Sequence, residues 1–167
     1  MISLGTYSRI IATLSRLYPD IIPPILDGLR KEFYGILKAK NQLYIDNKIK
    51  NIRYIGELVK FGVAPPIMAL KMFKALLSDF TQHNVDLLAV LLETCGRYLY
   101  LLPYTTEKMN EILETMLRLR RAKNLDLRQQ TLLESAYFNV KPPERVVLLL
   151  LLPIKLLIYF RSKKKLH

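Results

Sequence analysis

The sequence predicts an all-α fold, an array of stacked antiparallel helix hairpins. Three observations point to it. Apolar residues recur at helical spacing, proline, glycine and capping residues break the chain at regular intervals, and the alternation expected of β-strands is absent. Met109, Ile112, Leu113, Met116 and Leu117 follow the i, i+3, i+4, i+7, i+8 pattern of a helix with one buried side. Ile49, Ile52, Ile55, Gly56 and Val59 form a second stripe, and Lys48, Lys50, Asn51, Arg53, Glu57 and Lys60 are expected on the opposite, solvated side.

The elements follow in order. A first helix is expected from Thr6 to Leu17, stopping before Pro19. Pro23 and Pro24 open a second, which ends near Lys40 to Gln42. Asp46 is placed to cap a third, its carboxylate accepting free amides of the first turn; that helix ends at Phe61, where Gly62 can take the left-handed conformation. Pro65 and Pro66 open the fourth, and Asn84 is placed to cap the fifth. The segment Val85 to Leu102 is apolar almost all round and is expected to be the most buried helix. Thr105 or Thr106 caps the sixth helix and Asp126 the seventh, which Pro142 and Pro143 end. Helices joined by such short turns pair as antiparallel hairpins. The pairs recur about every 40 residues, the rhythm of HEAT-type repeats. Roughly three hairpins and one further helix make a short α-solenoid.

A chain of 167 residues suits one domain, and its 51% hydrophobic content supports a packed core. The formal net charge of +12 favours anionic partners such as RNA, acidic proteins or anionic lipid. Cys95 is the one cysteine, so an internal disulfide is impossible, and no Asn-x-Ser/Thr sequon occurs; both fit a reducing, intracellular compartment.

The candidate binding residues are two basic clusters. Arg118, Arg120, Arg121 and Lys123 gather at one helix C-terminus, where cations offset the negative end of the dipole and can also grip RNA phosphate or an acidic partner. Lys48, Lys50, Arg53 and Lys60 form the second, which reads as a solvated face unless it aligns with the first in a groove. Aromatic residues interleaved with basic ones, as a base-stacking platform needs, are not evident. Cys95 reads as a small core residue, and Gly56 and Gly96, costly inside helices by about 1 kcal/mol each, as points of close helix crossing. Glu93 has Arg97 at i+4 as a candidate partner. His83, beside Ser78 and Asp79, reads as part of a turn and cap, since no nucleophile elbow exists and the other histidine is the terminal His167. One cysteine and two histidines make no recognised metal spacing, and no phosphate loop is present, so no cofactor is expected.

The blocks IRYIGELVKF, LLSDFTQHN, LLETCGRYL, RAKNLDLRQQTLLESAY and KPPER resemble the family of domains named after the middle domain of translation initiation factor four-G. The form they resemble is the second such domain of the up-frameshift-two family of nonsense-mediated decay factors. The resemblance covers about Tyr7 to Arg145 and is strongest after Asp46. It implies a HEAT-like scaffold without catalytic residues, working as an adaptor in messenger RNA surveillance. It also implies other up-frameshift factors and exon-junction-bound messenger RNA as partners, and a cytoplasmic and perinuclear location.

Residues 1–145 are therefore expected to form a partial domain of this type, lacking helices that the family carries downstream. From Val146 the text changes to VVLLLLLPIKLLIYFRSKKKLH, which holds five basic residues and no acid. This tail of residues 146–167 is expected to lie outside the native fold, the mark of a truncated gene, a misread boundary or a genuine short isoform. Pro153 and Lys155 break its apolar run short of the ~20 residues a membrane span needs. Two rivals to the adaptor reading stand: a fragment without independent function, and a small helical protein held at a membrane by the tail.

Overall fold

A computed structural model describes residues 4–38 and 45–143, and among these every regular element is helical. Helix α1 spans Leu4–Leu17, two residues longer at its start than the spacing suggested. The chain turns through a short 3-10 segment, Pro19–Ile21, directly into α2, Ile22–Lys38. Helix α3 spans Ile45–Lys60 and α4 Pro66–Ser78. A long rod follows, made of α5 (Gln82–Leu91), a π-helical turn (Leu92–Gly96) and α6 (Arg97–Leu101). Helices α7 (Thr106–Ala122) and α8 (Leu127–Val140) complete the described part. The apolar tail expected outside the fold lies outside the described residues.

The rods stack in two rows. In one, α1 packs on α3, α3 on α5, and α5 and the π-turn on α8. In the other, α4 packs on α7, while α2 lies against α3. Chain order then gives α3/α4 and the long rod/α7 as hairpins, with α1 and α2 joined through the 3-10 segment and α8 as the odd helix, the α-solenoid that the helix rhythm predicts. The core lies between the two rows, drawing on α3, α5 and α6 from one side and on α4 and α7 from the other. Ile52, Ile55, Leu58, Phe73, Leu76, Leu88, Leu91, Leu99 and Met109 are almost wholly inaccessible. Each such side chain stabilises the fold by about 1.5–3 kcal/mol relative to exposure.

Local chemistry explains most boundaries. Gly62 ends α3 at φ +72°, and its N–H donates to the carbonyl of Val59. Pro65 caps α4 in extended conformation and Pro66 takes its first position. Asp126 caps α8 by accepting from the Gln129 amide at 2.6 Å. Other expected caps work differently. Asp46 lies inside the first turn of α3. Thr81, not Asn84, precedes α5; Asn84 is buried in its first turn and its Nδ2 donates back to the Asp79 carbonyl at 2.6 Å. His83 lies in that same turn, within the helix. Thr105 does precede α7, but its hydroxyl donates to the carbonyl of Leu99, tying α7 to the end of α6.

The buried segment expected as one helix from Val85 to Leu102 starts at Gln82 and contains the π-turn. Gly56 and Gly96 mark close crossings there, as their cost in a helix suggests. A Cβ on Gly56 would stand 2.8 Å from Cγ2 of Thr94, and one on Gly96 2.7 Å from Cγ2 of Val140. Glu93 and Arg97, on either side of this turn's end, are both exposed and make no ion pair with each other.

Candidate nucleic-acid interface

The loop between α7 and α8 draws one basic cluster together. Helix α7 ends in Leu-Arg-Leu-Arg-Arg-Ala, and its last turn carries Arg120 and Arg121 beside the unpaired carbonyls of the helix end. Lys123 leaves the helix in extended conformation, its N–H still bonded to the Leu119 carbonyl at 2.9 Å. Arg120, Arg121 and Lys123 then line a hollow of about 830 Å³ with Gln82, Asn124, Asp126 and Gln130. Arg118 is exposed on α7 and is not part of that lining.

The hollow is fixed in shape from several sides. Nη2 of Arg120 reaches across to Oε2 of Glu134 on α8 at 3.2 Å. Asp126 spends one oxygen on its cap. Gln130 donates to the Leu125 carbonyl at 2.9 Å, and Gln129 donates from Nε2 to the Gln82 carbonyl at 3.1 Å. Nη2 of Arg128 donates to both carboxylate oxygens of Asp86, at 3.0 and 2.9 Å, and also joins α8 to α5. Arg121 and Lys123 are exposed and make no ion pair among the described residues, so the hollow offers two open cations and a third shared with Glu134. No aromatic side chain of the described residues lines it. Such a site can hold phosphate or carboxylate oxygens and has no surface for stacking a base.

The second cluster is divided rather than assembled. Lys48 is 7% exposed, in the company of Phe33, Leu37, Asn51, Ile52 and Leu87. Asn51, 6% exposed, donates from Nδ2 to Oε2 of Glu32 at 2.7 Å and to the Leu29 carbonyl at 3.4 Å. The expectation that both residues sit on a solvated face is thus corrected: α2 lies over that side of α3, and a helix flanked on several sides has no fully polar face. Lys50 and Arg53 stay exposed. Lys60 pairs with Glu57 at 3.0 Å.

Sequence reasoning passed over Gln82 and Gln130, because they lie on α5 and α8 and only folding sets them beside the arginines, and it passed over Asn124, the uncharged neighbour of Lys123. Cys95 is buried, as expected, and burial pushes its thiol up to about 12.

Comparison with known proteins agrees with this architecture. Residues 3–143 match the MIF4G domain. The chain is 47% identical over 142 residues to "Regulator of nonsense transcripts UPF2" of Arabidopsis thaliana, covering 85% of this chain and 12% of that protein. It is 38% identical over 140 residues to "Regulator of nonsense transcripts 2" of Homo sapiens, 84% of this chain and 11% of that one. It is 32% identical over 142 residues to "Nonsense-mediated mRNA decay protein 2" of Schizosaccharomyces pombe, 85% of this chain and 14% of that one. The match takes in nearly all the described helices and a small part of each relative, and on it this chain belongs to the MIF4G domain family, as a segment of the kind found in these decay regulators.

Proposed function

We propose that this chain is a non-catalytic adaptor segment of the nonsense-mediated decay machinery, holding RNA by its phosphates at the α7–α8 hollow. The observation that carries the reading is the convergence of Arg120, Arg121 and Lys123 on one hollow, within a segment similar to proteins named for nonsense transcripts. Ionised arginines and lysines bind anions but supply neither nucleophile nor general base, which supports binding over catalysis. The lack of aromatics in the described lining supports backbone recognition without sequence preference. On this reading the partners are messenger RNA with exon-junction-bound complexes and other up-frameshift factors. The location is cytoplasmic and perinuclear, which imaging of the tagged protein tests.

The deciding experiment titrates salt against binding of a labelled single-stranded RNA. Charge reversal at Arg120, Arg121 and Lys123, which line the hollow, should weaken binding and flatten the slope of log affinity on log salt by about 2, at ~0.7 for each phosphate no longer neutralised. An unchanged slope with a folded variant overturns the reading.

A further inference from the structure

Between α2 and α4 the second row of helices opens. Helix α4 packs on α7, but α2 settles against α3 and leaves a furrow of about 370 Å³ on its α4 side. Phe33 and Met72 are buried in it. Its walls are Ile22, Leu26 and Tyr34 on α2 and Ile67 and Met68 on α4. Ile67 is 47% exposed and Tyr34 39%, high values for large apolar side chains beside a core. Tyr34 stands edge-on to Phe33 with ring centroids 5.0 Å apart, so the aromatic wall is already set. The two methionines give the surface an adaptable lining.

The rim is one-sided in charge. On α2, Arg30 is paired with Asp27 at 2.9 Å. Helix α4 contains no acid; of its exposed Lys71 and Lys74, neither in an ion pair among the described residues, Lys74 faces α7 beside Glu111. Lys71 itself lines the furrow.

We propose that this furrow is a docking groove for an amphipathic helix of a protein partner, with an apolar stripe directed at Phe33 and Met72 and acidic residues along the edge facing α4. The two walls are helices, so a third helix continues their packing and inserts side chains at i, i+3 or i+4, and i+7. The open Lys71 selects the sign of its flank and disfavours a basic one. The surface differs from the α7–α8 hollow, and the proposal stands independently of RNA binding there.

The test uses a display library of short helical peptides with a fixed leucine stripe and randomised flanking positions, selected on the full chain. Aspartate and glutamate should be enriched over lysine and arginine on one flank. Selected acidic peptides should bind on the order of fivefold more tightly than their lysine twins. Ile67→Glu, at an exposed site that leaves the core intact, should remove the binding, and Lys71→Glu should remove the preference for acid while binding persists. Circular dichroism confirms that both variants fold. No enrichment over the input library, enrichment of basic flanks, or equal enrichment on Ile67→Glu overturns the proposal. So does competition won by a peptide of residues 146–167, or self-association of the chain that Ile67→Glu abolishes without any acidic peptide binding.

Discussion

Gly96 is set by what a methyl group would meet. With Cγ2 of Val140 2.7 Å from its ideal Cβ position and Cδ2 of Leu92 at 3.3 Å, Gly96→Ala forces α8 away from the π-turn. Overpacking of this kind costs about 1–3 kcal/mol, measured by denaturant unfolding. Adding Val140→Ala should cost less than the two single changes together, because each removes the other's problem. Cys95, beside it, gives a pH signature. Its thiol keeps its proton in the fold up to about 12, while in the unfolded chain it ionises in the ordinary range. The unfolded state therefore releases a proton first as pH rises, and stability falls between the two values. The thermal midpoint should drop across that window, and Cys95→Ala should shallow the drop; identical slopes would count against the assignment.

At the level of the element, Asp126 links stability to binding with opposite signs. Its carboxylate caps α8 and also lines the basic hollow. Asp126→Ala should cost about 1 kcal/mol of stability. The same change removes the one acid among the described lining residues and should tighten RNA binding, which a paired unfolding and anisotropy measurement can separate. The element scale is also where the sequence was easiest to read. The residues that interrupt helices do so by their own geometry: Gly62, Pro65, Pro66, Asp126 and Pro142 act on a turn of backbone, so their effect is legible without tertiary structure. Asn84 and Thr105 were less legible, because their side chains find carbonyls that only the packed turn presents.

Across the whole molecule, legibility was lowest on α3. Its charged side was read as solvent-facing from one helix alone, yet α2 covers Lys48 and Asn51. Neighbour identity decides burial in a solenoid, and a single stripe cannot show how many neighbours a helix has. The α7–α8 cluster was legible as charge, whereas its hollow was not, since Gln82 arrives from a helix some forty residues earlier and is tied in through Gln129. The two rows also predict a mechanical asymmetry. Truncating Ile52 to alanine, central to α3, should cost about 2–5 kcal/mol and lower the stability of the whole array. Leu26→Ala on the loosely seated α2 should cost much less. Hydrogen exchange should show α2 opening before α3 and α5, and simultaneous loss of protection in all three would contradict the picture.

The π-turn has a bearing on how such a gene can change. Removing a single codon from an ordinary helix rotates everything downstream by about 100° and turns a buried face outward. A π-turn holds one residue more than the α-helical path needs. Within Leu92–Gly96, losing one residue can restore plain α-helix while α6, α7 and the basic end keep their orientation. Most of this chain should tolerate substitution far better than loss of a codon; here that order is relaxed, at the spot where the rod meets both α3 and α8.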